Sequence, residues 1–231
     1  MRRRIISCVI ILVTLLKVFG ADAFAETANV YYKIDTEQND KRIALTFDDG
    51  PHPRMTREIL GILKEYGITA TFFVIGQNAV NYPDTMKLLV ESGCEIGNHT
   101  YSHENFKNMS PCEMYEQFRK CTEILSERFS VEPTLMRPPQ GVCAEGVYSA
   151  AREMDYDIIL WSIDTRDWAH TSATDISQNI LRNARGGDII LMHDYIAGHS
   201  GTCEALRIII PELLGRGYEF VTASELIKSQ N

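Results

Sequence analysis

From residue 41 onward the chain alternates between two hydrophobic rhythms. Short runs that are apolar at nearly every position predict strands buried on both faces, at 43–47, 70–75, 94–96, 134–136, 157–161, 188–192 and 218–222. Between them, apolar residues recur three and four apart. That spacing predicts helices over 54–66, 83–92, 110 to about 129, 145–154, 174–185 and 204–214. Gly67 and Gly93 stop the first two helices, and Gly186-Gly187 stops the fifth. Ser110-Pro111-Cys112-Glu113 is a capping box with proline at the first helical position. Strands that alternate with helices imply a parallel sheet with helices over it. Seven of them suggest a distorted (β/α) barrel with about seven parallel strands rather than an open doubly wound sheet. No G-x-G-x-x-G follows the first strand, so a dinucleotide fold has no support. Barrel active sites lie at the C-terminal ends of strands. Each chemically active cluster is therefore expected just after a strand.

The first 25 residues follow another pattern. Arg2, Arg3 and Arg4 precede an apolar run over 5–19, and Ala23-Phe24-Ala25 follows. This is the layout of an export signal cleaved after Ala25. The run is shorter than the roughly 20 residues of a membrane-spanning helix, although an uncleaved anchor is the alternative. Residues 26–40 read as a polar linker, and 41–231 as one catalytic domain. Without residues 1–25 the net charge falls from −8 to −11, with 19 basic and 30 acidic side chains. Such a balance excludes a general nucleic-acid binder and suits a secreted or cell-surface protein, expected to be a monomer. Five cysteines remain beyond the signal, and none has the spacing of a zinc ribbon. Most are expected to be buried and inert.

Five clusters carry candidate chemistry. Asp48-Asp49-Gly50 closes the first strand; adjacent acids there bind a cation or move protons, unless they only form a turn. His99 and His103, four apart after the third strand, have metal-ligand spacing. Arg137 in Arg-Pro-Pro-Gln-Gly sits on a rigid loop and could pair with an acid. Asp164 and Asp167 with Trp168 follow the fifth strand; either carboxylate could orient a histidine, and the indole could face a sugar ring. His193 ends the sixth strand as a proton donor or acceptor. A serine hydrolase lacks support, because G-x-S-x-G is absent.

These stretches, in this order, resemble the five motifs of the polysaccharide deacetylase family, also called the NodB-homology or carbohydrate esterase family four, over about residues 41–227. The resemblance implies that Asp48 is the catalytic base and that Asp49, His99 and His103 hold a divalent metal. Zinc is the expected ion, with cobalt or another divalent ion as alternatives. It implies that Arg137 positions the base and that Pro138 and Gln140 line the substrate site, the Gln140 N–H facing the oxyanion. Asp167 would tune the catalytic acid His193, and Trp168 would wall the groove. Gln140 stands where the family usually has an aromatic residue, which bears on substrate preference more than on activity. The implied reaction is hydrolysis of N-acetyl groups on a glycan such as peptidoglycan or a chitin-like polymer. An O-acetyl xylan esterase and a catalytically silent glycan-binding domain are the competing readings.

Overall fold

The computed structural model describes residues 28–37, 39–198 and 200–229; the expected export signal lies outside them. Nine strands pair in parallel: β1 (Val30–Tyr31), β2 (Arg42–Asp48), β3 (Thr71–Val74), β4 (Glu95–Asn98), β5 (Leu135–Met136), β6 (Asp157–Ile159), β7 (Ile163–Asp164), β8 (Ile189–His193) and β9 (Glu219–Phe220). Their order is β1-β6-β5-β4-β3-β2-β8-β7, with β9 on β2. β6 and β7 are two pieces of one stretch. The first piece pairs with β5 and the second with β8, so residues 157–164 close the ring. The sequence predicts a single strand over 157–161. It breaks because the carbonyls of Ile159 and Leu160 accept the buried Arg137 guanidinium instead of continuing a ladder. The fold is thus a distorted (β/α) barrel, as the alternation predicts.

Strand periodicity divides the barrel into an apolar floor and a polar mouth. Ala44, Phe73, Leu135, Ile159 and Ile189 form one buried cluster with Ile34, Val221, Ala223 and Leu226. Two residues further along β2 and β8 come Thr46 and Leu191, and two further still come Asp48 and His193. One such step beyond Leu135 lies Arg137. The same rows that fill the floor with hydrocarbon therefore deliver acid, base and guanidinium at the mouth. The alternate rows, with Ile43, Leu45, Phe47, Phe72, Val74, Ile190 and Met192, pack outward under the helices. Gly97 is required here, because a Cβ would lie 2.5 Å from the Phe73 ring.

The predicted helices appear as α1 (Met55–Tyr66), α3 (Pro83–Glu91), α4 (Pro111–Phe129), α5 (Glu145–Met154), α6 (Ala173–Asn183) and α7 (Thr202–Gly215). Gly67 caps α1 in the left-handed conformation, and the Ser110–Glu113 capping box opens α4 as predicted. Two further helices, α2 (Gly76–Asn81) and α8 (Ala223–Lys228), are not predicted. The lead-in is also not merely a linker. β1 pairs with β6, Lys33 bridges Asp188, and Ile34 is fully buried in the floor cluster. The cysteine expectation holds in part: Cys121 and Cys203 are buried, Cys94 and Cys143 are half-buried, Cys112 is exposed, and all five are free thiols. Among the described residues no helix is long and apolar enough to cross a membrane.

Candidate active site

All five clusters stand at the C-terminal ends of strands. Asp48 ends β2, His99 follows β4, Arg137 follows β5, Asp167 follows β7, and His193 ends β8. Asp48 and His193 are register partners across the β2–β8 ladder.

Arg137 is fully buried, and each of its three guanidinium nitrogens donates a hydrogen bond. Nε donates to the Ile159 carbonyl and Nη2 to the Leu160 carbonyl, each at 2.9 Å. Nη1 donates to Thr46 Oγ1 at 2.8 Å and to Asp48 Oδ1 at 2.7 Å. The guanidinium lies 4.2 Å from the Phe73 ring centroid and 5.7 Å from that of Trp161. One oxygen of Asp48 is therefore pinned. The other, Oδ2, lies 3.7 Å from His99 Nε2.

Asp49, His99 and His103 converge. Each histidine Nε2 is 3.4 Å from Asp49 Oδ1, and the ligand atoms of all three residues lie within 4.8 Å of one another. Asp49 Oδ1 is buried without a hydrogen-bond partner, which disfavours it unless a cation fills the gap. His99 Nδ1 is 2.7 Å from the Arg137 carbonyl. A carbonyl only accepts, so Nδ1 carries the proton and the Nε2 lone pair is left facing Asp49. Burial pulls His99 down, but the facing carboxylates Asp48 and Asp49 outweigh it and raise its pKa. His103 is lowered by burial and by His99. Asp49 lies below the usual carboxylate range, because His99 and His103 outweigh the effect of its burial. The cluster thus favours positive charge at its centre.

The histidine loop is held by residues without a predicted role. Asn98 is fully buried and uses three hydrogen bonds. Its Nδ2 donates to Phe118 O at 2.8 Å and Thr122 Oγ1 at 3.0 Å, and its Oδ1 accepts Thr100 N at 2.8 Å. Thr100 Oγ1 accepts His103 N at 3.1 Å. The first amides of α2, Gly76 and Gln77, donate to the carbonyls of Thr100 and Tyr101 at 3.0 and 2.8 Å. These contacts hold Thr100 and His103 at φ of 71° and 53°, a left-handed region that non-glycine residues seldom occupy.

On the other side of the mouth, His193 Nδ1 meets Asp167 Oδ1 at 2.8 Å, and its backbone N–H donates to Asp167 Oδ2 at 2.9 Å. Asp167 is fully buried and also accepts Thr202 Oγ1 at 2.7 Å and Trp168 N at 3.0 Å. Burial would lower His193, but the Asp167 carboxylate beside it prevails and pushes its pKa up to about 9. Of the two candidate acids, Asp167 is the one that meets the histidine. Asp164 accepts the Arg166 amide in its own turn. Trp168 is 50 % exposed at the rim. Gln140 is exposed in a left-handed turn with φ 57°, whereas Pro138 is buried and its carbonyl accepts Gly141 N at 3.0 Å. Pro138 therefore helps to shape the loop that carries Gln140. Beyond His193 stands Asp194, a buried acid without a predicted role; burial pushes its pKa up to about 7.

Chemically, this mouth is a cation-competent Asp-His-His cluster flanked by an acid–guanidinium pair and an acid–imidazole pair, the equipment of a hydrolase with separate proton acceptor and donor. The chain belongs to the polysaccharide deacetylase family, whose sequence pattern matches residues 35–159. A peptidoglycan-N-acetylglucosamine deacetylase of Bacillus cereus is 40 % identical over 200 residues, spanning 86 % of this chain and 93 % of that protein. The crystal structure of a peptidoglycan N-acetylglucosamine deacetylase bound to an N-oxidanyl-benzamide superposes with a TM-score of 0.83 at 37 % identity, covering 89 % of this chain and 95 % of the other. A CE4 family pseudoenzyme from Bacillus anthracis superposes with a TM-score of 0.81 at 28 % identity, over 88 % of this chain and 70 % of its own.

Proposed function

We propose that this protein hydrolyses N-acetyl groups of peptidoglycan, foremost on N-acetylglucosamine, yielding acetate and a free amino sugar. The reading is carried by one observation: an ion-paired carboxylate and an ion-paired imidazole occupy register positions across the β2–β8 ladder, beside the orphaned oxygen of Asp49.

Asp49, His99 and His103 would hold a divalent cation. Two nitrogens and one carboxylate suit zinc, which when bound supplies Lewis acidity toward the acetyl carbonyl and acidifies a water. Asp48 accepts the proton of the attacking water through Oδ2, since Oδ1 is tied to Arg137. Arg137 fixes that carboxylate in one orientation and shields it from the barrel floor. The backbone N–H of Gln140 donates to the developing oxyanion. His193, charged and held through Nδ1 by Asp167, delivers its Nε2 proton to the nitrogen as the C–N bond breaks. Trp168 offers its face to a sugar ring. Residues 1–25 would export the protein, so that residues 41–231 act as a catalytic domain at the cell wall or outside the cell, with the membrane involved only if the signal stays uncleaved.

The test is acetate release by the purified protein from N-acetylglucosamine oligomers and from peptidoglycan, with and without zinc, beside Asp48→Asn. Zinc-dependent release that drops by about 10²–10⁴ in the variant is expected. Release from acetylated xylan alone would instead favour the esterase, and glycan binding without release would favour the silent domain.

A further inference from the structure

One buried acid at the mouth takes no part in these steps. Asp194 is 1 % exposed and touches the Asp48-Asp49-Gly50 turn at successive points. Its backbone N–H donates to the Asp48 carbonyl at 3.1 Å. Its carboxyl packs against Gly50. The same carboxyl fills the space left by the missing side chain of Gly50, where a Cβ would lie 2.0 Å from Oδ2 and 2.3 Å from Oδ1. Oδ2 also accepts the hydroxyl of Thr56, in the first turn of α1, at 2.5 Å. Thr56 in turn accepts the amide of His52 at 2.7 Å. Asp194 therefore ties both ends of the segment 48–56 to the end of β8. Its Oδ1 has no hydrogen-bond partner, so the carboxyl is held through Oδ2.

The turn needs such a tie. Asp49 has φ of 78°, in the left-handed region that disfavours a residue with a side chain. Other fastenings act on its carbonyl edge alone: Asn78 Nδ2 donates to Asp49 O at 2.7 Å, and Ile75 N donates to Gly50 O at 3.0 Å. Asp194 packs against Gly50 where a side chain would otherwise stand, and holds the Asp48 carbonyl through its own N–H.

We propose that Asp194 is a positioning residue: by packing against Gly50 and holding the Asp48 carbonyl and Thr56 it sets the left-handed conformation of Asp49, and with it the placement of Asp49 Oδ1 between His99 and His103. It touches no substrate and acts through the turn. The strand that carries the proton donor His193 thereby also fixes the cation-binding turn, so the two halves of the site are held in one register. This inference rests on the reading of Asp49, His99 and His103 as a cation site.

The experiment measures zinc affinity of the full chain by competition with a chromogenic chelator, together with melting temperature and acetate release. Asp194→Ala removes the grip. Asp194→Asn keeps the shape and one acceptor oxygen at the Oδ2 position. Thr56→Val keeps the helix and removes the hydroxyl that holds the carboxyl. For Asp194→Ala, zinc binding is expected to weaken by about 10- to 100-fold, with kcat lowered and KM unchanged. Asp194→Asn should restore affinity to within about threefold of wild type, and Thr56→Val should weaken it several-fold. Unchanged zinc affinity in a folded Asp194→Ala protein overturns the inference. If that variant does not fold, unchanged affinity in Thr56→Val overturns it. A wild-type protein that binds no divalent ion overturns the site reading itself, a result visible before any variant is made.

Discussion

Asp167→Asn changes one atom of the site and, through it, the charge of His193. In the wild-type protein the imidazole is raised from 6.5 to about 9, although burial works against the charged ring. That gap corresponds to about 3 kcal/mol in favour of the protonated form. Its main source is the carboxylate 2.8 Å from Nδ1, with Asp48 and Asp49 adding to it. Asparagine keeps the shape but removes the charge. Its single oxygen can serve either the donors at Oδ1, His193 Nδ1 and Trp168 N, or those at Oδ2, His193 N and Thr202 Oγ1, but not both sets. Burial is then opposed only by the more distant acids, and the pKa of His193 should fall toward 6.5 or below. Acetate release measured against pH should show the basic limb moving down by about 2 pH units, with kcat at neutral pH reduced by about 10²–10⁴. A cation bound at Asp49 displaces the limb of both proteins in the same sense, so the difference between them is diagnostic. Stability follows the same sign. A raised pKa contributes stability that is fully present below 6.5 and is lost as pH rises through about 9. The wild-type melting temperature should therefore fall more steeply across that window than that of the variant. A variant whose basic limb and kcat match the wild type would refute the assignment of His193 as a proton donor charged by Asp167.

Two other substitutions probe the supports. Arg137→Met should destabilise the fold by about 3–5 kcal/mol, read from denaturant midpoints, because it leaves the buried Asp48 carboxylate without its partner. Asn98→Ala should weaken zinc binding by about 10- to 100-fold in a competition assay, since it releases the Thr100 amide and hence the loop that carries His103.

Much of this fold was legible because its strands are buried on both faces, and continuous apolar runs such as β2 carry that signature. The expectation that every cluster follows a strand then located the mouth, since Asp48, Arg137 and His193 continue the inward rows. What was missed follows from tertiary context. Val30, Tyr31 and Ile34 lie in a polar stretch too short for a periodic signal, yet they pack at the barrel's edge and floor. Helix α2 begins at Gly76 with no side-chain cap. Helix α8 was readable, because Thr222 and Glu225 form a capping box directly after β9. Spacing alone could not choose between Asp164 and Asp167, because both follow one strand and only the turn brings Asp167 to His193. The roles of Asn98 and Asp194 are invisible without coordinates, since Phe118 lies 20 residues from Asn98 and Thr56 lies 138 from Asp194.

The related structures sharpen what fold alone can establish. A CE4 family pseudoenzyme shares this barrel at a TM-score of 0.81, as does a mutant of it with restored enzymatic activity. Overall likeness at that level is therefore compatible with both presence and absence of turnover, and the argument for activity has to come from side chains. In this chain the supporting contacts are numerous and specific. Arg137 spends four hydrogen bonds inside the barrel to hold one oxygen of Asp48, and Asp167 collects four donors to face His193. A glycan-binding surface would need neither, because sugars are held by exposed rings and polar rims rather than by buried charge pairs. Fully buried charges are costly to assemble, and an arrangement that presents a proton acceptor and a proton donor on either side of an Asp-His-His cluster has a clear chemical use in hydrolysis. The geometry thus favours turnover over silent binding, and the comparison of Asp48→Asn with wild type in the acetate assay separates the two.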